Sequence, residues 1–300
     1  MNITREKMNY DLVIVGAGPS GLSAAINFKK LCKKNGKDLS VCVVEKGSEV
    51  GAHILSGAIL EPRALNELIE DWKTDEDCPV KVSVKKESLK FLTETNSYDI
   101  PGIFTPSVMH NKGNFIISLG NFCKWLAKKA EDLGVEIYPG FSASELLIEN
   151  DKLNGIITGD LGLDKNGERG PNFQPGIEIH SKYTLFAEGC RGHLGKRLIE
   201  QFNLRENAQH QTYGIGLKEL WEVNPENSDP GHVMHTIGWP LDTETYGGSF
   251  LYHLSKNLVS VGFVIGLDYK NPYMSPYDEF QRFKTHPAIK KIIEGGKRIS

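Results

Sequence analysis

The stretch YDLVIVGAGPSGLSAAINFKKLCKK, beginning at Tyr10, constrains this chain more than any other. An apolar run ends in glycines and an amphipathic segment follows at once, so the spacing predicts strand, tight turn and helix. LSVCVVEKG then supplies a second, fully apolar strand. A strand that is apolar on both sides belongs inside a parallel sheet, and parallel neighbours need a crossover between them. Residues 10 to 46 therefore read as a βαβ unit.

Gly16, Gly18 and Gly21 fall at the turn in G-x-G-x-x-G spacing. The first glycine permits the turn, the second lets backbone approach a pyrophosphate, and the third lets the helix pack on the strand. The helix N-terminus adds N–H groups and positive dipole toward the phosphates. Glu45 closes the second strand, where its carboxylate would accept from ribose hydroxyls and repel a 2′-phosphate. These residues predict a dinucleotide without choosing between FAD and NAD. The choice rests on YTLFAEGCRGHLGKRL, residues 183 to 198, an apolar strand running into Ala187-Glu188-Gly189 and a turn with Arg191 and Gly192. Many Rossmann-type FAD proteins return to the flavin with a strand of this kind, so Glu188 and Gly189 join the expected FAD contacts; an ordinary strand-to-helix turn remains the plain alternative.

Elsewhere, Leu65, Leu68, Ile69 and Trp72 recur at helical spacing after Pro62 and give one apolar face. Strands follow around a Gly/Pro/Asp-rich excursion at 159–176, and a second region of alternating strands runs from about 208 to 270. The segment SPYDEFQRFKTHPAIKKIIEGGKRIS starts as a helix and reads as stopping without a closing element. The net charge of −3 argues against a general nucleic-acid binder. No run reaches the ~18 apolar residues of a membrane-spanning helix. The N-terminal stretch MNITREKMNYDLVIVGAG carries no apolar signal region and no Arg/Ser-rich presequence, which reads as a bacterial or an already processed chain. Cys32, Cys42, Cys78, Cys123 and Cys190 are scattered, without C-x-x-C or iron–sulfur spacing, and read as buried structural thiols in a reducing compartment. His53, His193, His232, His235 and His253 show no metal-ligand spacing.

TYGGSFLYHL, residues 245 to 254, is an aromatic strand with Gly247 and Gly248 at its start. Glycine in a strand marks a bulge or a close approach by something else. On the residues alone both readings stand.

VEKGSEVGAHILSGAILEPRALNELIEDW, LFAEGCRGHLGKRL and TYGGSFLYHLSKNLVSVGFVIGLDYKNPYMSPYDEFQRFKTHP together closely resemble the electron-transfer flavoprotein–ubiquinone oxidoreductase family. The resemblance implies a glutathione-reductase-like α/β fold: a Rossmann-type FAD-binding domain with an inserted antiparallel β-sheet quinone-binding domain. The expected division is 1–207 for FAD, with a membrane-surface segment at about 50–72, and 208–300 for ubiquinone, truncated. It implies an electron-transferring-flavoprotein dehydrogenase that draws electrons from reduced electron-transfer flavoprotein and passes them to ubiquinone through FAD and a 4Fe–4S cluster. Such an enzyme sits peripherally on a membrane: the cytoplasmic face of the bacterial inner membrane, or the matrix face of the mitochondrial one. By the same resemblance Gly16, Gly18, Gly21 and Glu45 bind FAD, Val50 to Asp71 dips into the lipid surface, and Gly247 and Gly248 contact the quinone ring.

The family's cluster cysteines have no counterpart among the five present, so their ligands are expected beyond Ser300 and the chain alone is expected to be incomplete. The competing readings are a FAD-dependent monooxygenase or prenyl reductase of similar fold, and an inactive FAD-binding fragment. The basic residues Arg282, Lys284, Lys290, Lys291, Lys297 and Arg298 would suit anionic lipid or an acidic partner, or form a solvated face.

Overall fold

The computed structural model describes residues 4–54 and 57–300. The chain opens with strand β1 (Lys7–Val15), helix α1 (Pro19–Lys34) and strand β2 (Val41–Glu45). Next come β3 (Gly57–Leu60), α2 (Arg63–Leu68), β4 (Val82–Ser83), β5 (Lys86–Leu92), β6 (Ser97–Ile100) and β7 (Phe115–Ser118). They lead to α3 (Leu119–Glu131), β8 (Glu136–Pro139), β9 (Ala143–Glu149), β10 (Lys152–Thr158) and β11 (Leu161–Leu163). β12 (Arg169–Gln174), β13 (Glu178–Phe186), α4 (His193–Gln201), β14 (Gly214–Glu222) and β15 (His232–Gly238) follow. The order closes with β16 (Gly247–His253), β17 (Leu258–Gly266), α5 (Pro276–Thr285), α6 (Pro287–Ile293) and β18 (Lys297–Arg298).

One compact unit runs to Ile54 and resumes over Leu119–Ala208. Its sheet has the order β8-β2-β1-β13-β10-β9. β1 lies between β2 and β13, parallel to both, and β8 extends the parallel side. The all-apolar strands are buried through and through: Val13, Ile14, and Val41 to Val44 are all at most 1% exposed. Leu22, Ala25 and Ile26 form the buried stripe of α1, which packs against α3. The excursion after β10 is the antiparallel pair β11–β12.

The other unit joins the residues up to Ser118 with Gln209–Ser300. Its main sheet has the order β18-β14-β17-β16-β15-β5-β6. β14, β17, β16 and β15 pair antiparallel, while β5 runs parallel to β15 from Lys86↔His232 to Leu92↔Gly238. That pairing draws residues 57–118 into this unit, although a division at 207/208 leaves them with the nucleotide half. One sheet face is covered by α5 and α6 through a core that includes Phe263, Phe280 and Phe283. The opposite face meets the small sheet β3-β7-β4 around Ile116, Val233 and Tyr252. The segment after α6 does carry a closing element, because β18 pairs with β14.

The buried Glu219 ties these pieces together, accepting from Lys284 at 2.8 Å and Arg298 at 3.2 Å. Burial works against its charge, yet hydrogen bonds from Lys284 and Trp221 hold its carboxyl below the usual range. With Arg282 paired to Glu279 and Lys290 to Glu294, most of the C-terminal basic run is neutralised inside the unit.

The apolar face of 50–72 turns inward. Leu65, Ile69 and Trp72 are 3%, 7% and 2% exposed, and Trp72 meets Phe115 edge-on at 5.4 Å. Residues 55 and 56 of that segment lie outside the described residues. The apolar residues facing solvent lie elsewhere: Ile103, Phe104 and Val108 are 87%, 74% and 90% exposed. Leu65→Glu should therefore lower stability by about 3 kcal/mol or more, whereas Ile103→Glu should shift it by no more than about 0.5 kcal/mol. Chemical denaturation of the two variants checks this; equal, small effects would show that Leu65 is not core.

Two buried histidines make this unit acid-sensitive. His232 and His253 stack at 5.5 Å, and the His253 Nδ1 accepts from the Asp229 backbone N–H at 3.2 Å. Burial, then the neighbouring His232 and Lys86, outweighs Asp229 and pushes the His253 imidazole down to about 4. The unfolded chain, at the ordinary value near 6.5, takes the proton first. His253 thus contributes fully above pH ~6.5, and its contribution is lost as the pH falls toward ~4, by up to about 3 kcal/mol. Melting temperatures between pH 7 and 4.5 should fall less steeply in His253→Asn than in the parent; equal slopes would remove His253 as the cause.

Candidate functional site

The loop after β1 holds three glycines for different reasons. Gly16 has φ +106°, and a Cβ there would lie 2.5 Å from the Ala187 carbonyl oxygen. A Cβ on Gly21 would meet the Gly16 carbonyl oxygen and crowd Ile14 Cγ2 at 3.1 Å. The fold alone requires both. Gly18 is different: its backbone is extended, φ −77° and ψ 179°, and a Cβ would meet nothing within 4 Å. Neither conformation nor packing calls for glycine there, and the open space in front of it leaves the room that backbone approach to a pyrophosphate would need. Gly18 also caps α1, which has no side-chain cap and no acidic residue in its first turn. Its first-turn N–H groups favour an anion.

Glu45 stands beside this loop. Its Oε2 accepts from the Ala17 backbone N–H at 3.0 Å and its Oε1 from that of Gly47 at 2.7 Å. Both oxygens keep lone pairs for hydroxyl donors. Beneath it, Cys123 is fully buried, with its thiol pushed up to about 12 by burial and then by the Glu45 charge. Four cysteines are buried as expected; Cys190 is exposed.

β13 delivers Ala187 to the same loop, where its N–H bonds the Val15 carbonyl at 2.8 Å. Glu188 follows, engaged with the helix after it. Its carboxylate accepts from the Gly195 N–H at 2.8 Å and the Leu194 N–H at 3.3 Å, capping α4. Gly192 makes room for it, since a Cβ there would sit 2.5 Å from Glu188 Oε2. Gly189 takes the turn at φ +82°.

Gly247 and Gly248 lie in the other unit, near the centre of its main sheet. A Cβ on Gly247 would meet Val264 O, and would come within 2.5 Å of Leu241 Cδ1. One on Gly248 would lie 2.7 Å from Thr236 O. What comes close to the pair is first the protein's own backbone. Phe250 in turn covers Gly262 on the next strand and stacks on Tyr252 at 4.6 Å. Tyr252, its hydroxyl pushed up to about 12 by burial, meets His235 Nε2 at 3.0 Å.

The sequence pattern missed the exposed run around Ile103 and Phe104, where Pro101 and Pro106 interrupt any periodic signal. Among the described residues no group of three or more His, Cys, Asp or Glu is arranged to hold a metal ion. No described helix is long and apolar enough to cross a membrane.

Two family models match the chain: "ETF-QO, ubiquinone-binding" over 213–300, and "NAD(P)-binding Rossmann-like domain" over 14–70. Electron transfer flavoprotein-ubiquinone oxidoreductase of Pseudomonas aeruginosa is 57% identical over 299 residues, 99% of this chain and 54% of its own length. The chain belongs to the electron transfer flavoprotein–ubiquinone oxidoreductase family. The mitochondrial member of Bos taurus is 52% identical over 304 residues, 100% of this chain and 49% of its own length. The chain thus spans about half the length of the curated relatives it matches. Among solved structures, a geranylgeranyl bacteriochlorophyll reductase-like protein of Thermoplasma acidophilum aligns with TM-score 0.68 at 19% identity, over 98% of this chain and 65% of that one. The flavin-dependent brominase Bmp2 aligns with TM-score 0.63 at 19% identity, over 98% and 66%. At such identity these two speak for the fold alone.

Within this oxidoreductase-family chain the glycine loop makes a split prediction. Gly18→Val should keep thermal stability within about 0.5 kcal/mol while losing bound dinucleotide. Gly21→Val should cost about 3 kcal/mol or more, because its side chain enters the Gly16 carbonyl. Nucleotide retention together with calorimetric melting reads both. A Gly18 variant that binds as well as its parent would show that nothing uses the gap.

Proposed function

We propose that this chain carries the flavin- and quinone-binding parts of an enzyme that takes electrons from reduced electron-transfer flavoprotein and delivers them to ubiquinone. The observation that supports this most is 57% identity along 99% of the chain to a relative bearing that name. The first unit would hold FAD: Gly16, Gly18 and Gly21 admit the pyrophosphate, the α1 N-terminus faces its charge, and Glu45 accepts from the ribose hydroxyls. Glu188 and Gly189 would shape the loop against it, with Glu188 acting through α4. FAD supplies, when bound, the capacity to accept and release electrons singly or in pairs. A 4Fe–4S cluster belongs to the same proposal, with its ligands beyond Ser300.

The second unit would receive ubiquinone at Gly247 and Gly248, beside Phe250 and Tyr252. Because both glycines are already needed by the strands around them, substituting them would not test a quinone contact. The lipid-facing segment would be the exposed Ile103, Phe104 and Val108 run rather than 50–72, whose apolar face is buried. A lipophilic substrate and peripheral attachment fit together: inner membrane, cytoplasmic face in a bacterium or matrix face in a mitochondrion.

The full-length protein should take up FAD rather than NAD, and its flavin should be reduced by reduced electron-transfer flavoprotein while ignoring NADPH. Added ubiquinone-1 should then reoxidise it. Rapid bleaching by NADPH would instead favour a monooxygenase or prenyl reductase, and no flavin uptake at all would overturn the reading. Replacing Phe104 and Val108 with Glu should release the protein from anionic vesicles at high salt without lowering its melting temperature.

A further inference from the structure

Several half-buried lysines of this chain are paired with a carboxylate. Lys29, Lys90 and Lys284, with side chains 13%, 19% and 11% exposed, reach Asp38, Asp99 and Glu219. Lys218 on β14 is half-buried too, yet no carboxylate lies within ion-pair distance among the described residues, and burial alone pushes its ammonium down. An ammonium held out of water without a counter-charge is costly unless something else meets it.

Its place on the sheet indicates what that is. Lys218 pairs with Gly262, and Gly262 with Phe250, so the three form one row across β14, β17 and β16. On one side of this row the sheet is covered by β3. There Ser260, 1% exposed with an unpartnered Oγ, sits 2.8 Å from where a Gly57 Cβ would be, and Lys218 Nζ sits 3.6 Å from the same point. On the other side the next row is Gly216, Val264 and Gly248. It is open: Gly216 is exposed, its Cβ would meet only Val264 Cγ2 at 3.9 Å, and Val264 is 37% exposed. Lys218 therefore stands between the part of this face covered by β3, beside which its ammonium lies, and an open, apolar stretch floored by Gly216 and Val264 that runs on to Gly248. Near it the alternate residues of β14, β16 and β17 are Gly, Ser, Val, Phe, Tyr and Leu; the other charges on this face, Glu222 and its neighbour Lys297, lie at the far end of β14.

We propose that Lys218 binds the head group of the quinone, its ammonium donating to a ring carbonyl oxygen while the ring lies on the Gly216–Val264–Gly248 floor. This rests on the quinone reading of the second unit and adds to it the group that orients the ring. A carbonyl oxygen is a strong acceptor that gains negative charge as the ring is reduced, so a fixed cation beside it favours both binding and electron arrival. The apolar floor accepts any flat ring, and Lys218 would select one bearing an oxygen at its edge.

The test uses the full-length protein with ubiquinone-1, comparing parent, Lys218→Met and Lys218→Arg. Lys218→Met should raise the KM for ubiquinone-1 about tenfold, the loss of one charge-assisted hydrogen bond. Its melting temperature should hold or rise, because an unpaired buried charge is removed. Flavin reduction by electron-transfer flavoprotein should be unchanged, and Lys218→Arg should recover most of the KM. For contrast, Lys284→Met, which strips Glu219 of its partner, should lower the melting temperature and leave the KM alone. A parent that handles ubiquinone-1 while Lys218→Met matches it would overturn the lysine proposal only. Parallel losses of stability and all activities would overturn it too, by making Lys218 structural. A parent indifferent to ubiquinone-1 would sink the quinone reading beneath it.

Discussion

The contact between the Gly16 turn and Ala187 is the point on which the first unit depends. β1 can lie between β2 and β13 in parallel only if the loop leaving it clears the chain returning along β13. That clearance is set by a missing side chain: a Cβ on Gly16 would come within 2.5 Å of Ala187 O. The Gly16 N–H to Val44 carbonyl bond, 2.8 Å, closes the same corner from the β2 side. Gly21 then lets α1 sit directly above, and Glu45 is fixed beside the loop by Ala17 and Gly47. With Gly16 and Gly21 committed to the backbone, Gly18 is left facing open space, where the proposed dinucleotide would lie.

The same distinction, between glycines that the fold consumes and glycines it leaves open, organises the second unit. Gly247, Gly248 and Gly262 are filled by Val264, Thr236 and Phe250, the last an aromatic ring laid over a neighbouring glycine. Gly216 is not filled by anything. Gly216 lies beside Lys218 on the sheet face that β3 covers in part, beyond the stretch that β3 reaches, and a flat ligand with an acceptor is proposed to lie there. Glu219, one residue along β14 and therefore on the opposite face, is neutralised by Lys284 and Arg298. Adjacent residues of one strand thus serve opposite ends: one charge is locked into the core, the other is left available.

The segment at 50–72 illustrates how periodicity can mislead. Leu65, Ile69 and Trp72 share a helical face, and an amphipathic face looks the same whether protein or lipid covers it. Here protein covers it, with Phe115 against Trp72. The solvent-facing apolar residues, by contrast, sit in turns flanked by Pro101 and Pro106, where no period exists to notice.

The local sequence determined the βαβ unit, the glycine turn, Glu45 at the strand end and the antiparallel strands after residue 208, because each follows from short-range periodicity and from what glycine alone permits. The family was legible as well, since the long matching stretches record both units. Only the tertiary structure decided that 57–118 belongs with the second unit, because parallel pairing of β5 with β15 joins residues more than a hundred positions apart. It also decided that Glu188 caps α4, that Gly247 and Gly248 are crowded by carbonyls, and that no carboxylate among the described residues lies within ion-pair distance of Lys218. A sequence states which groups exist, but whether a charge finds a partner or a glycine a neighbour depends on strands brought together across the chain.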